Sequence, residues 1–149
     1  MFRPILLLLA VLGFALAGPA RADDAINTTL FGHLAADGYD VVAYQTDDRA
    51  IKGKSEFRYA WHGANWQFAS AEHLATFKAD PQRYAPQYGG YCAYAVAKGD
   101  KVGIDPEAYS VVDGKLYLNY SKDIRGKWLE RRDAYIEQAD HNWPALSQQ

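Results

Sequence analysis

Two stretches of alternating residues, each divided by a two-residue turn, constrain what this chain can fold into. Aromatic residues alternate with polar or small ones before and after His62-Gly63, and short apolar runs flank Asp113-Gly114. Alternation with a period of two gives each strand one buried face, and Asp-Gly suits a two-residue type I′ turn. The sequence therefore predicts two antiparallel hairpins. Their paired strands are 57–61 with 65–69 and 110–113 with 115–119.

Helical spacing predicts the other regular elements. Ser70 is suited to cap a helix over 71–79, in which Leu74 and Phe77 share a face. From residue 122 onward, apolar residues recur at helical spacing and predict one or two amphipathic helices that cover most of 122–140. These apolar residues are Ile124, Trp128, Tyr135, Ala139 and Trp143.

Two further segments are less regular. Residues 40–45 (DVVAYQ) predict a short strand, whereas 88–97 fit either a strand or a helix, with Gly99 favouring a helical stop. Hairpins and helices together predict a small single α+β domain, in which short β-hairpins pack against helices.

The N-terminus has the pattern of a secretory signal peptide. Arg3 precedes an apolar run over 5–17, and Ala20-Arg21-Ala22 matches the A-x-A cleavage signature. The apolar run is too short to span a membrane. We expect residues 1–22 to be removed, which leaves 23–149 as one periplasmic or secreted domain without a membrane span.

The charge of the mature chain argues against two classes of partner. The signal peptide contains two of the 16 basic residues and none of the 18 acidic ones, so 14 basic residues remain and the net charge is about −4. No basic run is present. Nucleic acid and anionic membrane surfaces are therefore not expected as partners.

Cys92 is the only cysteine in the chain. One thiol cannot form an internal disulfide, so a core rich in aromatic residues must stabilise the exported domain. Gly89-Gly90, just before the cysteine, predicts a turn with positive φ more than a ligand pocket. Three roles stay open for the thiol: metal ligand, nucleophile and core residue. The tyrosines around it are Tyr84, Tyr88, Tyr91 and Tyr94.

No catalytic signature is visible in the sequence. The chain lacks Cys-x-x-Cys, a phosphate-binding loop, His-Glu-x-x-His and Gly-x-Ser-x-Gly. A nucleophilic Cys92 would need a base and an orienting group, and none of the four histidines stands in a recognisable signature. We therefore expect a protein that is not an enzyme. The histidines are His33, His62, His73 and His141.

The centre of the chain resembles the YHS domain. Residues 68–84 (FASAEHLATFKADPQRY) are similar to the core of that family, whose pattern is an aromatic residue, Cys-Ser-x-x-Cys, then Phe, Pro and Tyr at fixed intervals. YAWHGANWQF resembles the aromatic hairpin of the family, and GYDVVAY resembles its opening segment. With GGYCAYAVAKG and VDGKLYLNY downstream, the chain most resembles the secreted bacterial branch. The resemblance implies a YHS-like fold for residues 23–149. The positions that match the core pattern are Phe68, Ser70, Phe77, Pro81 and Tyr84.

The chain departs from that family at the metal ligands. The resemblance implies three cysteine positions, one in the opening segment and two in Cys-Ser-x-x-Cys. Here Ala43 falls near the first position, Ala69 occupies the second and His73 the third. A zinc centre normally needs four protein ligands, or three and a water. The zinc site of the family therefore cannot form from these residues.

Cys92 and His73 are the remaining candidate metal ligands. With a third donor such as His62 or Glu72, the pair would suit copper, as Cu(I), or another thiophilic ion. Met1 is the only methionine and is expected to leave with the signal peptide, which excludes thioether ligands. Against this, a lone cysteine is commonly a core residue, and a lone histidine is commonly packed or solvated.

Two functions follow from these patterns. The first is an exported, non-catalytic binding module that handles a metal ion, copper above others, in the periplasm. The second is a structural or protein-partner-binding domain whose ancestral metal site has been lost.

Overall fold

The computed structural model describes residues 25–149, and within them it shows a small α+β domain, as predicted. The predicted signal peptide, 1–22, lies outside this range. Across 25–149, every helix falls short of the length or the apolar character that spanning a bilayer requires. The helices are α1 (Ala43–Thr46), α2 (Ala71–Ala79), α3 (Pro81–Tyr84), α4 (Ala93–Ala97), α5 (Lys122–Glu130) and α6 (Arg132–Leu146). The strands are β1 (Lys54–Trp61), β2 (Ala64–Phe68), β3 (Asp105–Val112) and β4 (Lys115–Asn119).

Both predicted hairpins are present. Strand β1 pairs antiparallel with β2, and β3 pairs antiparallel with β4. The turn residues have positive φ angles, 50° and 72° at His62 and Gly63 and 51° and 73° at Asp113 and Gly114. Two successive positive φ angles are the requirement of a type I′ turn, whose twist matches that of the strands. Local turn chemistry thus sets both hairpins.

The predicted strand over 40–45 is wrong. Residues Ala43–Thr46 form the short helix α1 instead. The side chain of Asp40 accepts hydrogen bonds from the backbone N–H groups of Val42 and Ala43, and an aspartate bonded in this way favours a turn or a helix start over a strand. The segment 88–97, left open by the sequence, contains the end of a 3₁₀ turn (Gln87–Gly90) and helix α4.

Strand β4 divides the core into two clusters. Its side chains alternate between the two faces of the hairpin: Leu116 and Leu118 pack in a first cluster with the β1–β2 hairpin and α2, whereas Tyr117 packs in a second cluster with α4, α5 and α6. The first cluster includes the buried residues Tyr44, Trp66, Phe68 and Phe77. The second includes the buried residues Tyr88, Val96, Trp128 and Ala139.

Candidate functional site

A fully buried carboxylate, Asp40, lies at the centre of the candidate site. Its Oδ1 accepts the N–H groups of Val42 and Ala43, at 2.9 and 3.2 Å, and its Oδ2 accepts the N–H of Ala69 at 2.9 Å. A buried charge is tolerated only where such hydrogen bonds replace water. Asp40 therefore ties the start of α1 to the connection between β2 and α2.

His73 makes the fourth contact with this carboxylate. Its Nδ1 lies 2.6 Å from Asp40 Oδ2, so we assign the Nδ1 proton to a hydrogen bond with Asp40. The backbone of His73 is fixed as well, because Ser70 caps α2 by accepting the His73 N–H at 3.1 Å. The carboxylate and the cap together hold the imidazole ring in one orientation.

The other ring nitrogen of His73 is directed toward α1 and the residue that follows it. His73 Nε2 lies 3.4 Å from Thr46 Oγ1 and 3.8 Å from Asp47 Oδ2. The side chains of His73 and Asp47 are 19% and 41% exposed. Nε2 is therefore the ring nitrogen that lies at the edge of the molecule. An imidazole that contacts a carboxylate through one nitrogen and carries its second nitrogen near the surface has the usual form of a metal-binding histidine.

The three positions that the YHS resemblance marks for cysteines meet at Asp40. Ala43 and Ala69 contribute their backbone N–H groups, and His73 contributes its ring. Both alanines carry methyl side chains without donor atoms. The polar centre is Asp40, which the sequence analysis did not select. The signal that would have identified it is an aspartate three residues before the first residue of a helix, where an acceptor satisfies the first N–H groups.

Cys92 lies in a different hydrogen-bond network. Its thiol is buried, with Sγ 3.5 Å from Asn119 Oδ1, and it accepts the N–H of Tyr120 at 3.2 Å. Asn119 Oδ1 also accepts the N–H of Tyr94 at 3.1 Å. Asn119, at the end of β4, thereby satisfies the first turn of α4 as an N-cap side chain does. The thiol is part of a buried polar joint between α4 and β4.

The side-chain hydrogen bonds of Cys92 involve Asn119 and Tyr120, whereas the ring of His73 contacts Asp40 and Thr46. Of their suggested third donors, His62 is exposed at the tip of the β1–β2 hairpin, and Glu72 is exposed in the first turn of α2. Between residues 25 and 149, no three His, Cys, Asp or Glu side chains are arranged to hold a metal ion. An ion shared by Cys92 and His73 stays a prediction.

We expect Cys92→Ala to lower the free energy of unfolding by roughly 1–2 kcal/mol, because it removes a small buried group and one partner each from Tyr120 and Asn119. Cys92→Ser keeps a donor and an acceptor and is expected to lose less. Urea unfolding followed by tryptophan fluorescence measures both variants. A larger loss for serine than for alanine would contradict a hydrogen-bonding role for the thiol.

Comparison with protein-family models, curated proteins and solved structures finds no match to this chain. The resemblance to the YHS domain therefore depends on the sequence motifs. The geometric observation that bears on it is the meeting of Ala43, Ala69 and His73 at one buried carboxylate.

Proposed function

We propose that the chain is an exported, non-catalytic binding module of YHS type that handles a transition-metal ion, copper above others, in the periplasm. The observation that supports this most is the 2.6 Å contact between Asp40 Oδ2 and His73 Nδ1. Second-shell carboxylates of this kind orient a histidine ligand and make its other nitrogen more basic. His73 is therefore the residue on which the proposal depends.

Asp47 is the best-placed second donor. Its Oδ2 lies 3.8 Å from His73 Nε2, within the roughly 4.2 Å that two ligands of one ion span at about 2.1 Å each. Imidazole and carboxylate donors suit divalent transition metals, and Cu(II) is bound most tightly along the first row. Two protein donors leave coordination positions for water or for donors of another molecule. Such an open site suits transfer of an ion more than its permanent storage.

A specific observation also favours the second function, a domain that binds a protein partner and whose ancestral metal site has been lost. Leu30 and Phe31, adjacent in a turn, are each 84% exposed, and a protein surface rarely presents large apolar side chains together without a use for them. Asp40 is moreover satisfied by protein donors alone. Metal binding and partner binding are therefore to be separated by experiment.

We expect the mature protein to bind one Cu(II) ion, and His73→Ala to weaken binding by at least about 100-fold because the only imidazole donor of the site is lost. Asp47→Asn should weaken binding by about tenfold or more. Calorimetric titration measures the affinity, and electron paramagnetic resonance reports a nitrogen ligand to copper. His141→Ala, which removes an exposed histidine on α6, is the matched control and should bind as the parent does.

Cys92→Ser tests the pair predicted from the sequence. If His73 and Asp47 hold the ion, this variant binds Cu(II) unchanged. Loss of Cu(I) binding in both Cys92→Ser and His73→Ala, measured under reducing conditions with a competing chelator, would instead support the thiolate–imidazole pair. A parent protein that binds neither oxidation state, or a His73→Ala variant that binds both as well as the parent, would contradict metal handling.

A further inference from the structure

A cleft of about 470 Å³ has no lining residue in common with the residues around His73. Its volume is in the range of small-molecule sites, roughly 300–1,000 Å³. Aromatic rings and prolines form part of its surface, beside small and amide side chains. The residues that matter for its chemistry are Trp61, Pro86, Tyr88, Asp140, Trp143 and Pro144.

The aromatic walls of the cleft are held by the two core clusters. Trp61, at the end of β1, packs edge-on against Trp66 and Phe77 of the first cluster, with ring centroids 5.6 and 5.7 Å apart. Trp143, on α6, packs edge-on against Tyr88 of the second cluster, at 6.1 Å. Since Tyr88 is only 5% exposed, it is set deep beside the cleft. The rings are therefore positioned by the fold itself.

Asp140 places a carboxylate at this cleft. Among residues 25–149 it is the only charged residue that lines the cleft, and its Oδ1 accepts a hydrogen bond from the Tyr88 hydroxyl at 2.9 Å. Burial and this hydrogen bond raise the pKa of Tyr88, which keeps the hydroxyl protonated and donating. Within the part of the chain that the structure describes, Asp140 forms no ion pair. A fixed negative charge thus borders an aromatic surface without a cation of its own.

We propose that this cleft binds a small organic cation, an alkylated ammonium group on a short apolar body, recognised by Asp140, Trp61 and Trp143. The faces of tryptophan rings attract cations, quaternary ammonium groups in particular. The carboxylate adds the opposite charge, and the prolines cover the alkyl groups. An anionic ligand would be repelled by Asp140, and a neutral one would lack the attraction between opposite charges. This site is independent of the function proposed for His73.

The test compares two probes of nearly the same shape. Choline carries a trimethylammonium group, and 3,3-dimethyl-1-butanol carries a neutral tert-butyl group in its place. We expect choline to shift the indole N–H resonances of Trp61 and Trp143 saturably in ¹H–¹⁵N spectra of the mature protein. The neutral probe should bind at least about tenfold more weakly, because it lacks both the cation–π contact and the charge attraction to the Asp140 carboxylate.

Two variants locate the charge that is recognised. Asp140→Asn keeps an oxygen that accepts the Tyr88 hydrogen bond and is expected to weaken choline binding about tenfold. Glu137→Gln, an exposed acidic position on the same helix, should leave it unchanged. The proposal is overturned if choline causes no saturable shift, if both probes bind equally, or if Asp140→Asn binds choline as the parent does. The comparison of probes uses the parent protein, so it stands even where a variant folds poorly.

Discussion

Asp40→Ala is expected to lower the free energy of unfolding by about 3–5 kcal/mol, a large part of the 5–15 kcal/mol that a domain of this kind has. The variant removes the acceptor for three backbone N–H groups and for the His73 ring. Each buried donor left without a partner costs about 1–3 kcal/mol, although relaxation and water entry recover some of the total. Chemical unfolding followed by circular dichroism and tryptophan fluorescence measures the loss.

Three further variants show whether that loss comes from the network around Asp40. Asp40→Asn keeps one oxygen acceptor and should lie between Asp40→Ala and the parent. His73→Ala removes a single donor and should lose about 1–2 kcal/mol. Asp133→Ala, at a side chain that is 85% exposed, should change stability by less than about 0.5 kcal/mol. An Asp40→Ala variant no less stable than Asp133→Ala would show that the buried carboxylate does not hold α1 and α2 together.

The sequence predicts the hairpins because their determinants are local. The positive φ angles at Asp113 and Gly114 form the turn and so determine which residues pair. The alternation of apolar and polar side chains on either side determines which face is buried. The same reasoning fails at Val41 and Val42, whose branched side chains favour a strand. There the backbone follows the hydrogen bonds of Asp40, and two of its partners, Ala69 and His73, lie 29 and 33 residues away.

In the candidate site, too, some residues can be identified from the sequence and others cannot. His73 is a candidate from the sequence because the resemblance to the YHS domain puts it at a cysteine position, and Ser70 marks the helix that carries it. Asp40 is missed because its role appears only when α1 and α2 meet. For Cys92 the sequence shows the neighbouring tyrosines, whereas the polar partners of the thiol, Asn119 and Tyr120, come from β4 and its end, 27 and 28 residues away. Contacts of that separation leave no periodic trace in the chain.

The glycine pair before Cys92 does more than provide the turn that its sequence predicts. Gly89 and Gly90 have φ angles of 60° and 79°, as expected, but the space at Gly89 is also occupied by another part of the backbone. A Cβ at Gly89 would lie 1.7 Å from the carbonyl oxygen of Ala25. Asn27 meanwhile donates its N–H to Gly89 O at 2.8 Å and its Nδ2 to Gly90 O at 3.2 Å. The absence of side chains is what lets the segment 25–27 lie across the turn.

Gly89→Ala is therefore expected to lower the free energy of unfolding by roughly 3 kcal/mol or more, because it combines a disfavoured φ with a backbone overlap that no side-chain rotation relieves. Gly99→Ala is the matched control: Gly99 also has a positive φ, 88°, but a Cβ there meets nothing within 4 Å, so only the conformational cost of about 1–2 kcal/mol applies. Hydrogen exchange locates the difference, since Gly89→Ala should expose the Asn27 amide while Gly99→Ala leaves it protected. Equal losses in the two variants, with the Asn27 amide protected in both, would mean that the approach of Ala25 to Gly89 does not stabilise the fold.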